Sequence, residues 1–238
     1  MLLLLLFFSS LVNNPFHTNL NRYIIDHRHT CSNQSIDLLI IVISKPENYQ
    51  TRDAIRRTWL SRKPTDAINM KYFFLLDFNE QLMHSIEREN DLFQDIIQVD
   101  LPEHYTLVTH RVISLFEWSF RFCRPAKFLF KTDDDIFVNL ILLLKFVSSL
   151  INQPMNDSFT ISEMKLYGYQ HVQARVFRQA KDIVFTRYVI TNDEYPCPKY
   201  PTYLSGYGYL ISKKARDAIL YTAYQDLKPF RISDVYLT

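Results

Sequence analysis

The sequence predicts one large α/β domain with a mainly parallel central sheet and helices on both faces of that sheet. Apolar segments of strand length alternate four times with helical segments, which is the pattern of a parallel sheet. The first apolar segment, residues 36–44, is largely β-branched, as a strand buried on both faces should be. Hydrophobic residues make up 47% of the 238 residues, which is enough for a substantial core.

Each element is predicted from its own periodicity and from the residues that bound it. Pro46 ends the first strand, and apolar residues at helical spacing indicate the helix that follows. The predicted strands are 36–44, 70–76, 95–99 and 126–130, with shorter ones at 165–169 and 184–190. The predicted helices are 51–60, 80–91, 110–122, one beginning at Leu140, and 213–224. We find no linker inside 36–238 and predict one domain there.

The N-terminal 35 residues are predicted to lie outside this domain. Residues 1–12 form an apolar run that is too short for a spanning helix. Two interpretations stay open, a signal-peptide core and the remnant of a longer membrane anchor. Residues 13–35 are polar and are predicted to be a stem or linker.

Charge and cysteine content exclude some classes of protein. The formal net charge of +2 provides no broad electrostatic basis for binding nucleic acid. Cys31, Cys123 and Cys197 are too few for a disulfide scaffold, so either one disulfide with a free thiol or no disulfide is expected. Asn33 and Asn156 begin sequons and would be glycosylated if the chain enters the secretory pathway.

Three consecutive carboxylates, Asp133, Asp134 and Asp135, follow the apolar strand that begins at residue 126. Ligands gather at the carboxyl ends of strands in such sheets, and like charges this close stay ionised only beside water or a cation. Hard carboxylate oxygens suit Mg²⁺ or Mn²⁺, which commonly bind through one or two carboxylates and substrate phosphates. The alternative is an acidic turn that caps the helix beginning at Leu140.

Arg52 and Arg56 lie four residues apart and share one face of the first predicted helix. Two guanidinium groups near the carboxyl end of a strand can clamp an anionic phosphate group. The alternative is a solvated basic face, with Trp59 in the core. On these residues alone the alternative is favoured.

Two of the three glycines, Gly206 and Gly208, lie between tyrosines in the segment 200–212. Glycine permits a positive φ angle and the close approach of a ligand or another backbone segment. Aromatic rings such as those of Tyr203 and Tyr209 offer apolar faces to a sugar or a base. A tight turn leading into a helix explains the segment equally well.

Four motifs occur together in one order, and this order is more specific than any single motif. They are Arg52-x-x-x-Arg56-x-Thr58-Trp59, Lys131-Thr132-Asp133-Asp134-Asp135-x-Phe137-Val138-Asn139, Tyr200-Pro201-x-Tyr203-x-x-Gly206-x-Gly208-Tyr209-x-x-Ser212 and Asp234-Val235-Tyr236. Over residues 36–238 the chain resembles the β-1,3-galactosyltransferase family (glycosyltransferase family thirty-one). That family includes β-1,3-N-acetylglucosaminyltransferases and the fringe proteins.

The resemblance implies a GT-A fold, a nucleotide-binding α/β domain in which an Asp-x-Asp motif holds Mn²⁺ or Mg²⁺ on the diphosphate of a UDP-sugar. It implies metal binding by Asp135 with Asp133, and catalysis by Asp234 as the base. It also implies that other motif residues bind substrate, namely Arg52, Arg56, Trp59, Asp133, Asp134, Tyr203, Gly206, Gly208 and Tyr209.

The implied reaction moves galactose or an N-acetylhexosamine from a UDP-sugar to a glycan hydroxyl in β-1,3 linkage. One base and one in-line displacement imply inversion at the anomeric carbon. The acceptor would be the glycan of a glycoprotein or glycolipid. The implied location is the Golgi lumen, with a type II anchor in the Golgi membrane.

Two other functions stay open. A catalytically inactive relative that binds nucleotide sugar or glycan is favoured by Ser233, which stands where the family usually has an acidic residue, and by the end of the chain at Thr238, earlier than in the family. An unrelated metal-dependent phosphotransfer enzyme would explain the acidic triplet but not the tyrosine-glycine segment.

Overall fold

The computed structural model describes residues 22–32, 34–61, 68–102, 104, 107–152, 164–180, 182–226 and 229–238. The predicted sequons at Asn33 and Asn156 and the apolar run 1–12 lie outside the described residues. Among the described residues, no helix is both long and apolar enough to cross a membrane.

Seven described strands form one sheet, in the order β1-β4-β3-β2-β5-β7-β6. Their bounds are β1 Tyr23–Ile25, β2 Leu38–Ile43, β3 Met70–Phe78, β4 Ile96–Pro102, β5 Phe128–Asp133, β6 Leu166–His171 and β7 Tyr203–Ser212. The central strands β2, β3, β4 and β5 are parallel, whereas β1, β6 and β7 pair antiparallel with their neighbours. The predicted α/β class with a mainly parallel centre is therefore confirmed.

Helices follow the strands as the alternation predicts. The described α-helices are α1 Tyr49–Arg57, α2 Met83–Phe93, α3 Val108–Phe122, α4 Leu140–Ile151, α5 Lys213–Gln225 and α6 Ser233–Leu237. Side chains of β2 alternate between two apolar clusters, with Leu39 and Ile41 in one and Leu38, Ile40 and Val42 in the other. The centre of the sheet is therefore covered on both faces.

Two elements differ from their predictions. The predicted strand 184–190 is largely a 3₁₀-helix, Ile183–Tyr188, because side chains rather than a neighbouring strand satisfy carbonyls of this segment. Arg231 donates to the carbonyls of Arg187 and Val189. The glycines at 206 and 208 belong to strand β7 rather than to a tight turn, and neither has a positive φ angle.

Part of the predicted stem belongs to the folded domain. Tyr23 in β1 pairs with Val99 in β4, which places residues 23–25 at one edge of the sheet. The indole of Trp118 donates to the carbonyl of Asp26 over 2.6 Å. Cys31 forms a disulfide with Cys123 at the end of α3. The sequence missed this contribution because a three-residue edge strand carries almost no periodicity.

Candidate active site

An open cleft of about 430 Å³ lies beside the carboxyl ends of β2, β3 and β5. Its lining comes from residues 43–45 at the end of β2, from β5 and its following turn, from the middle of β7 and from residues 231–234 at the start of α6, with further residues from β3, α3 and the 3₁₀-helix. Ten charged residues line it, and the two signs are equal in number: Lys45, Asp77, Arg111, Lys131, Asp133, Asp134, Asp135, Arg187, Arg231 and Asp234. The predicted location at the strand ends is confirmed for the acidic triplet.

Asp133 is the last residue of β5 and shares the cleft with a lysine from the same strand. Asp133 Oδ1 accepts a hydrogen bond from Lys131 Nζ at 2.5 Å. Burial raises the pKa of the Asp133 carboxyl, and the nearby Asp135 and Asp234 carboxylates raise it further, although the Lys131 ammonium opposes the rise. The fold therefore places Asp135 and Asp234 near Asp133 in one cleft.

Asp134 and Asp135 differ in their surroundings. Asp134 Oδ2 accepts from Ser44 Oγ at 2.7 Å and from Asn48 Nδ2 at 2.9 Å, so this carboxylate holds the loop between β2 and α1. Asp135 is exposed and lines the cleft. Within the described part of the chain we find no hydrogen bond or ion pair to its carboxylate. The carboxylate of Asp135 is therefore available to a ligand. The carboxylate of Asp134 instead stabilises the loop that forms one wall of the cleft.

Asp234 lies at the first turn of α6, directly against β7. Its Oδ2 accepts from the Gly206 N–H at 2.8 Å and its Oδ1 accepts from Ser233 Oγ at 3.0 Å. A β-carbon at residue 206 would lie 2.6 Å from Asp234 Cγ, which no real contact allows. The glycine is required for this close approach. The group that approaches Gly206 is a side-chain carboxylate, whereas the sequence suggested a ligand or another backbone segment.

Arg52 and Arg56 do not form a solvated basic face, because carboxylates of neighbouring elements bind both guanidinium groups. Both lie on the inner face of α1, and Arg52 is completely buried. Arg52 donates from Nε and Nη2 to the two oxygens of Glu89, at 2.9 and 2.6 Å. Arg56 donates to both Glu89 and Asp95. Two buried carboxylates explain this outcome, because a buried guanidinium needs charged partners.

Arg52 still contributes to the cleft, through the backbone. Its Nη1 donates to Ser44 Oγ at 3.1 Å and to the Lys45 carbonyl at 2.6 Å, and its Nη2 donates to the Pro46 carbonyl at 3.1 Å. The same Ser44 hydroxyl donates to Asp134. Arg52 therefore supports the loop that forms one wall of the cleft.

Four other predicted substrate-binding residues do not line the cleft. Trp59 is buried in the core and borders a separate apolar hollow beside α4. Tyr209 is also buried, opposite Lys131 in the pairing of β5 with β7, and burial raises its pKa well above the usual value. Gly208 pairs with Thr132. Tyr203 stacks on His171 with ring centroids 4.9 Å apart. Strand pairing and core packing therefore hold these four residues away from the cleft.

Sequence reasoning assigned no role to several residues that the fold brings to the site. Ser44 and Asn48 bind Asp134, and Lys131 pairs with Asp133. Tyr207, an exposed residue of β7, lines the cleft. One available signal was a lysine that directly follows an apolar strand segment and precedes the acidic triplet. A buried ammonium needs a carboxylate partner nearby, and the triplet is two residues away.

The residues present fit a divalent cation whose coordination is completed by the phosphates of a bound ligand. Across the described ranges, no three His, Cys, Asp or Glu side chains form a group that could hold an ion by themselves. Asp133 and Asp135 offer hard carboxylate oxygens at an open cleft. One or two carboxylates suit Mg²⁺ or Mn²⁺ when substrate phosphates complete the coordination.

Comparison with known proteins adds the family. The chain is 31% identical over 228 residues to the mouse protein named UDP-GalNAc:beta-1,3-N-acetylgalactosaminyltransferase 1. The aligned region covers 94% of this chain and 65% of that protein. It is 31% identical over 226 residues to the human lactosylceramide 1,3-N-acetyl-beta-D-glucosaminyltransferase, and this aligned region covers 91% of this chain and 56% of that protein. The chain thus spans somewhat less than two thirds of the length of these relatives.

A family model described as Galactosyltransferase matches residues 50–238. The matched part includes β3 to β7, the acidic triplet and Asp234. The mainly parallel sheet with flanking helices is consistent with the GT-A-like architecture expected of that family. The order of the four motifs, the cleft to which two of them contribute carboxylates, and this match agree that the chain belongs to the galactosyltransferase family.

Proposed function

We propose that this protein moves a hexose, galactose or an N-acetylhexosamine, from a UDP-sugar to a hydroxyl of an acceptor glycan in β-1,3 linkage with inversion. One observation carries the proposal. Asp133 and Asp135 at the end of β5 share a cleft with Asp234 at the start of α6. In such a cleft an anionic leaving group can bind beside a carboxylate that acts as a base.

Each acidic residue has a separate part in this proposal. Asp133 and Asp135 face the donor diphosphate, while Asp134 keeps the loop after β2 in place through Ser44 and Asn48. Asp234 accepts the proton of the attacking acceptor hydroxyl. A hydroxyl is a weak nucleophile, so general-base assistance contributes about 10²–10⁴-fold to such a step.

A divalent cation completes the donor site in this proposal. Mn²⁺ or Mg²⁺ would be held by Asp135 and Asp133 together with the donor phosphates, where it would neutralise the charge that grows on the departing UDP. The Lys131 ammonium lies beside Asp133 and offsets part of the negative charge that the acidic cluster carries before the donor binds.

The names of the relatives support the substrate classes. One mouse relative is named for transfer from UDP-GalNAc, and the human relative is named for a lactosylceramide acceptor. We therefore include N-acetylhexosamines among the donors and glycolipid or glycoprotein glycans among the acceptors. A location in the Golgi lumen, with an anchor before the domain, is part of the same proposal. The Cys31–Cys123 disulfide supports an oxidising compartment.

A donor panel tests the proposal. Purified protein is incubated with UDP-galactose, UDP-GlcNAc, UDP-GalNAc and UDP-glucose, each with a panel of β-galactoside and hexosamine acceptors, and UDP release is measured with Mn²⁺ and with EDTA. We expect one donor and one acceptor class to show release that EDTA abolishes. Transfer that EDTA leaves unchanged would contradict the cation requirement but not the transfer reaction.

A second function, binding of nucleotide sugar without turnover, is favoured by the surroundings of Asp234. Both of its oxygens accept hydrogen bonds, and one comes from Ser233. These hydrogen bonds compete with an acceptor hydroxyl for the two carboxylate oxygens. Binding of UDP that requires Mn²⁺, with no sugar moved to any acceptor, would favour this second function. The substitution Ser233→Asp or Ser233→Glu then tests whether the missing carboxylate is the cause.

A further inference from the structure

Lys131 is a buried ammonium on β5 at the floor of the cleft, and only 4% of the residue is exposed. Its Nζ donates to Asp133 Oδ1 at 2.5 Å and also to the carbonyl of Gly206 on β7. A desolvated ammonium is costly unless its donors are used, and here two of its three donors are used within the site. The side chain is therefore held in one place.

Gly206 lies where regular pairing of β7 with its neighbours is interrupted. The β5–β7 pairing extends from Phe128↔Ser212 to Thr132↔Gly208, and the β6–β7 register shifts between Gly168 and Gln170. In the described structure neither ladder includes Gly206. Its carbonyl instead accepts from Lys131 and its N–H donates to Asp234 Oδ2 at 2.8 Å. Charged side chains thus take up the backbone groups that the sheet leaves unpaired.

These bonds form one chain of contacts across the cleft, from Asp133 through Lys131 and the backbone of Gly206 to Asp234. Each neighbouring pair in this chain is within hydrogen-bond distance. The missing β-carbon of Gly206 allows Asp234 to lie against the backbone of the strand, because a side chain there would overlap the carboxylate. The position of Asp234 therefore depends on Lys131 and Gly206 as well as on helix α6.

We propose that Lys131 is a positioning residue, which holds Asp234 at a set distance from the donor-binding carboxylate Asp133 by acting through Gly206. Lys131 does not contact the reacting atoms in this proposal. This inference rests on the proposed transfer reaction and adds a residue that the reaction needs. A misplacement of about 1 Å at a reacting group can cost about 100-fold in rate.

The competing explanation is that Lys131 only balances the charge of the acidic cluster. The two explanations differ in what a neutral substitution does. Lys131→Gln removes the charge but keeps an amide that can donate to Asp133 and to Gly206, whereas Lys131→Met removes both the charge and the donors. Positioning requires the hydrogen-bond donors of residue 131, whereas charge balance requires its positive charge.

The test measures kcat for transfer and the Kd for UDP with Mn²⁺ in wild type, Lys131→Met and Lys131→Gln. Lys127→Met is the matched control, because Lys127 precedes β5 and pairs with Asp37 away from the cleft. We expect Lys131→Met to lower kcat by about 100-fold while UDP binding changes by less than about threefold. Lys131→Gln should recover most of the rate, and Lys127→Met should resemble wild type.

The outcomes separate the inference from the proposed function. If wild type moves no sugar, the proposed function fails. If wild type is active and Lys131→Met keeps its kcat, or if both Lys131 variants lose rate and UDP affinity equally, the positioning role is overturned. Thermal unfolding shows which variants are folded at the assay temperature. If Lys131→Met is unfolded, Lys131→Gln decides alone, since a retained rate supports positioning and a lost rate contradicts it.

Discussion

The four aspartates of the acidic cluster have different surroundings in the cleft. This difference explains how neighbouring aspartates can differ in role. Asp135 is exposed, Asp134 is bonded to Ser44 and Asn48, and Asp133 is bonded to Lys131. Asp234 comes from another element about a hundred residues later in the chain. Local hydrogen bonding, rather than the spacing of the triplet, separates these carboxylates.

The variants Asp135→Ala and Asp234→Asn should have different effects. Loss of the Asp135 carboxylate should abolish Mn²⁺-dependent UDP binding, because an open ligand of the cation is removed. Loss of the Asp234 negative charge should spare UDP binding and reduce transfer by about 10²–10⁴-fold. Isothermal titration with UDP and Mn²⁺, together with the transfer assay, checks both. Equal loss of UDP binding in the two variants would contradict these separate roles.

Gly206 and Gly208 offer a matched pair of substitutions in one strand. In Gly206→Ala the new methyl group would overlap Asp234, whose carboxylate must move, so we expect about a 100-fold loss of transfer with UDP binding kept. In Gly208→Ala the methyl group would lie 3.5 Å from Thr132 Oγ1, an ordinary contact, so the rate should stay near that of wild type. Steady-state kinetics of the two variants measures the difference. Equal rates would mean that Asp234 needs no fixed position.

Helices α1 and α2 are joined to each other and to β4 by a buried ionic network. Glu89 on α2 accepts from both Arg52 and Arg56 of α1, and Arg56 also donates to Asp95 just before β4. Arg52, Ile55 and Arg56 share one face of α1, and this face is buried. An arginine on that face must find a carboxylate, and α2 supplies it.

Glu89→Gln should be strongly destabilising because it leaves two buried guanidinium groups with one carboxylate. Removal of one partner from a buried ionic pair typically costs about 3–5 kcal/mol. Glu87→Gln on the same helix is the control, since Glu87 is exposed and should change the free energy of unfolding by no more than about 0.5 kcal/mol. Urea unfolding followed by circular dichroism measures both. A loss below 1 kcal/mol for Glu89→Gln would show that the network adds little.

The segment that leads to Asp234 is fastened to the 3₁₀-helix by Arg231, which donates to Glu194 over 2.8 Å and to two carbonyls. Arg231 is the main cause of the lowered pKa of Glu194, about 2 instead of 4.5. A carboxyl whose pKa is lowered by folding stabilises the folded state above its unfolded pKa, and that contribution is lost as the pH falls through its folded pKa.

The free energy of unfolding should therefore fall more steeply between pH 4.5 and pH 2 in wild type than in Glu194→Gln. Asp193→Asn is the control, because Asp193 is an exposed neighbour outside this contact. Urea unfolding at several pH values in this window gives the slopes. Parallel slopes in wild type and Glu194→Gln would show that the Arg231 contact does not persist in solution.

At the scale of the whole molecule, the edge strand β1 is held to the sheet by pairing with β4 and by the Cys31–Cys123 disulfide. The two cysteines are 92 residues apart, so the disulfide closes most of the strands and helices before β5 into one loop. Cys197 is exposed and free. One disulfide and one free thiol was one of the two arrangements that the sequence left open.

Replacement of both Cys31 and Cys123 by serine should lower the free energy of unfolding by about 4–5 kcal/mol, because a crosslink over a long loop restricts the unfolded chain. Cys197→Ser should leave stability within about 0.5 kcal/mol of wild type. Urea unfolding with and without reductant measures both effects. If the reductant leaves the stability of wild type unchanged while the disulfide is shown to be reduced, the stabilising role is refuted.

The parallel centre of the sheet, most helices and the position of the acidic triplet at a strand end follow from the sequence alone. Alternation of buried strands with amphipathic helices depends on local periodicity, and the strand that ends at Asp133 necessarily brings the triplet to the edge where ligands bind. The motif order also identified the family. These features are local, or follow from the geometry of a parallel sheet, and so they can be read from a single chain.

Which side chains face the cleft depends on contacts between segments that are distant in the chain. Arg52 and Arg56 turned inward because Glu89 and Asp95, more than thirty residues later, neutralise them, and Tyr209 is buried by its pairing with β5. Contacts between distant segments also set the Cys31–Cys123 disulfide and the approach of Asp234 to Gly206. Such contacts depend on how the elements pack, and no pattern within one element records them.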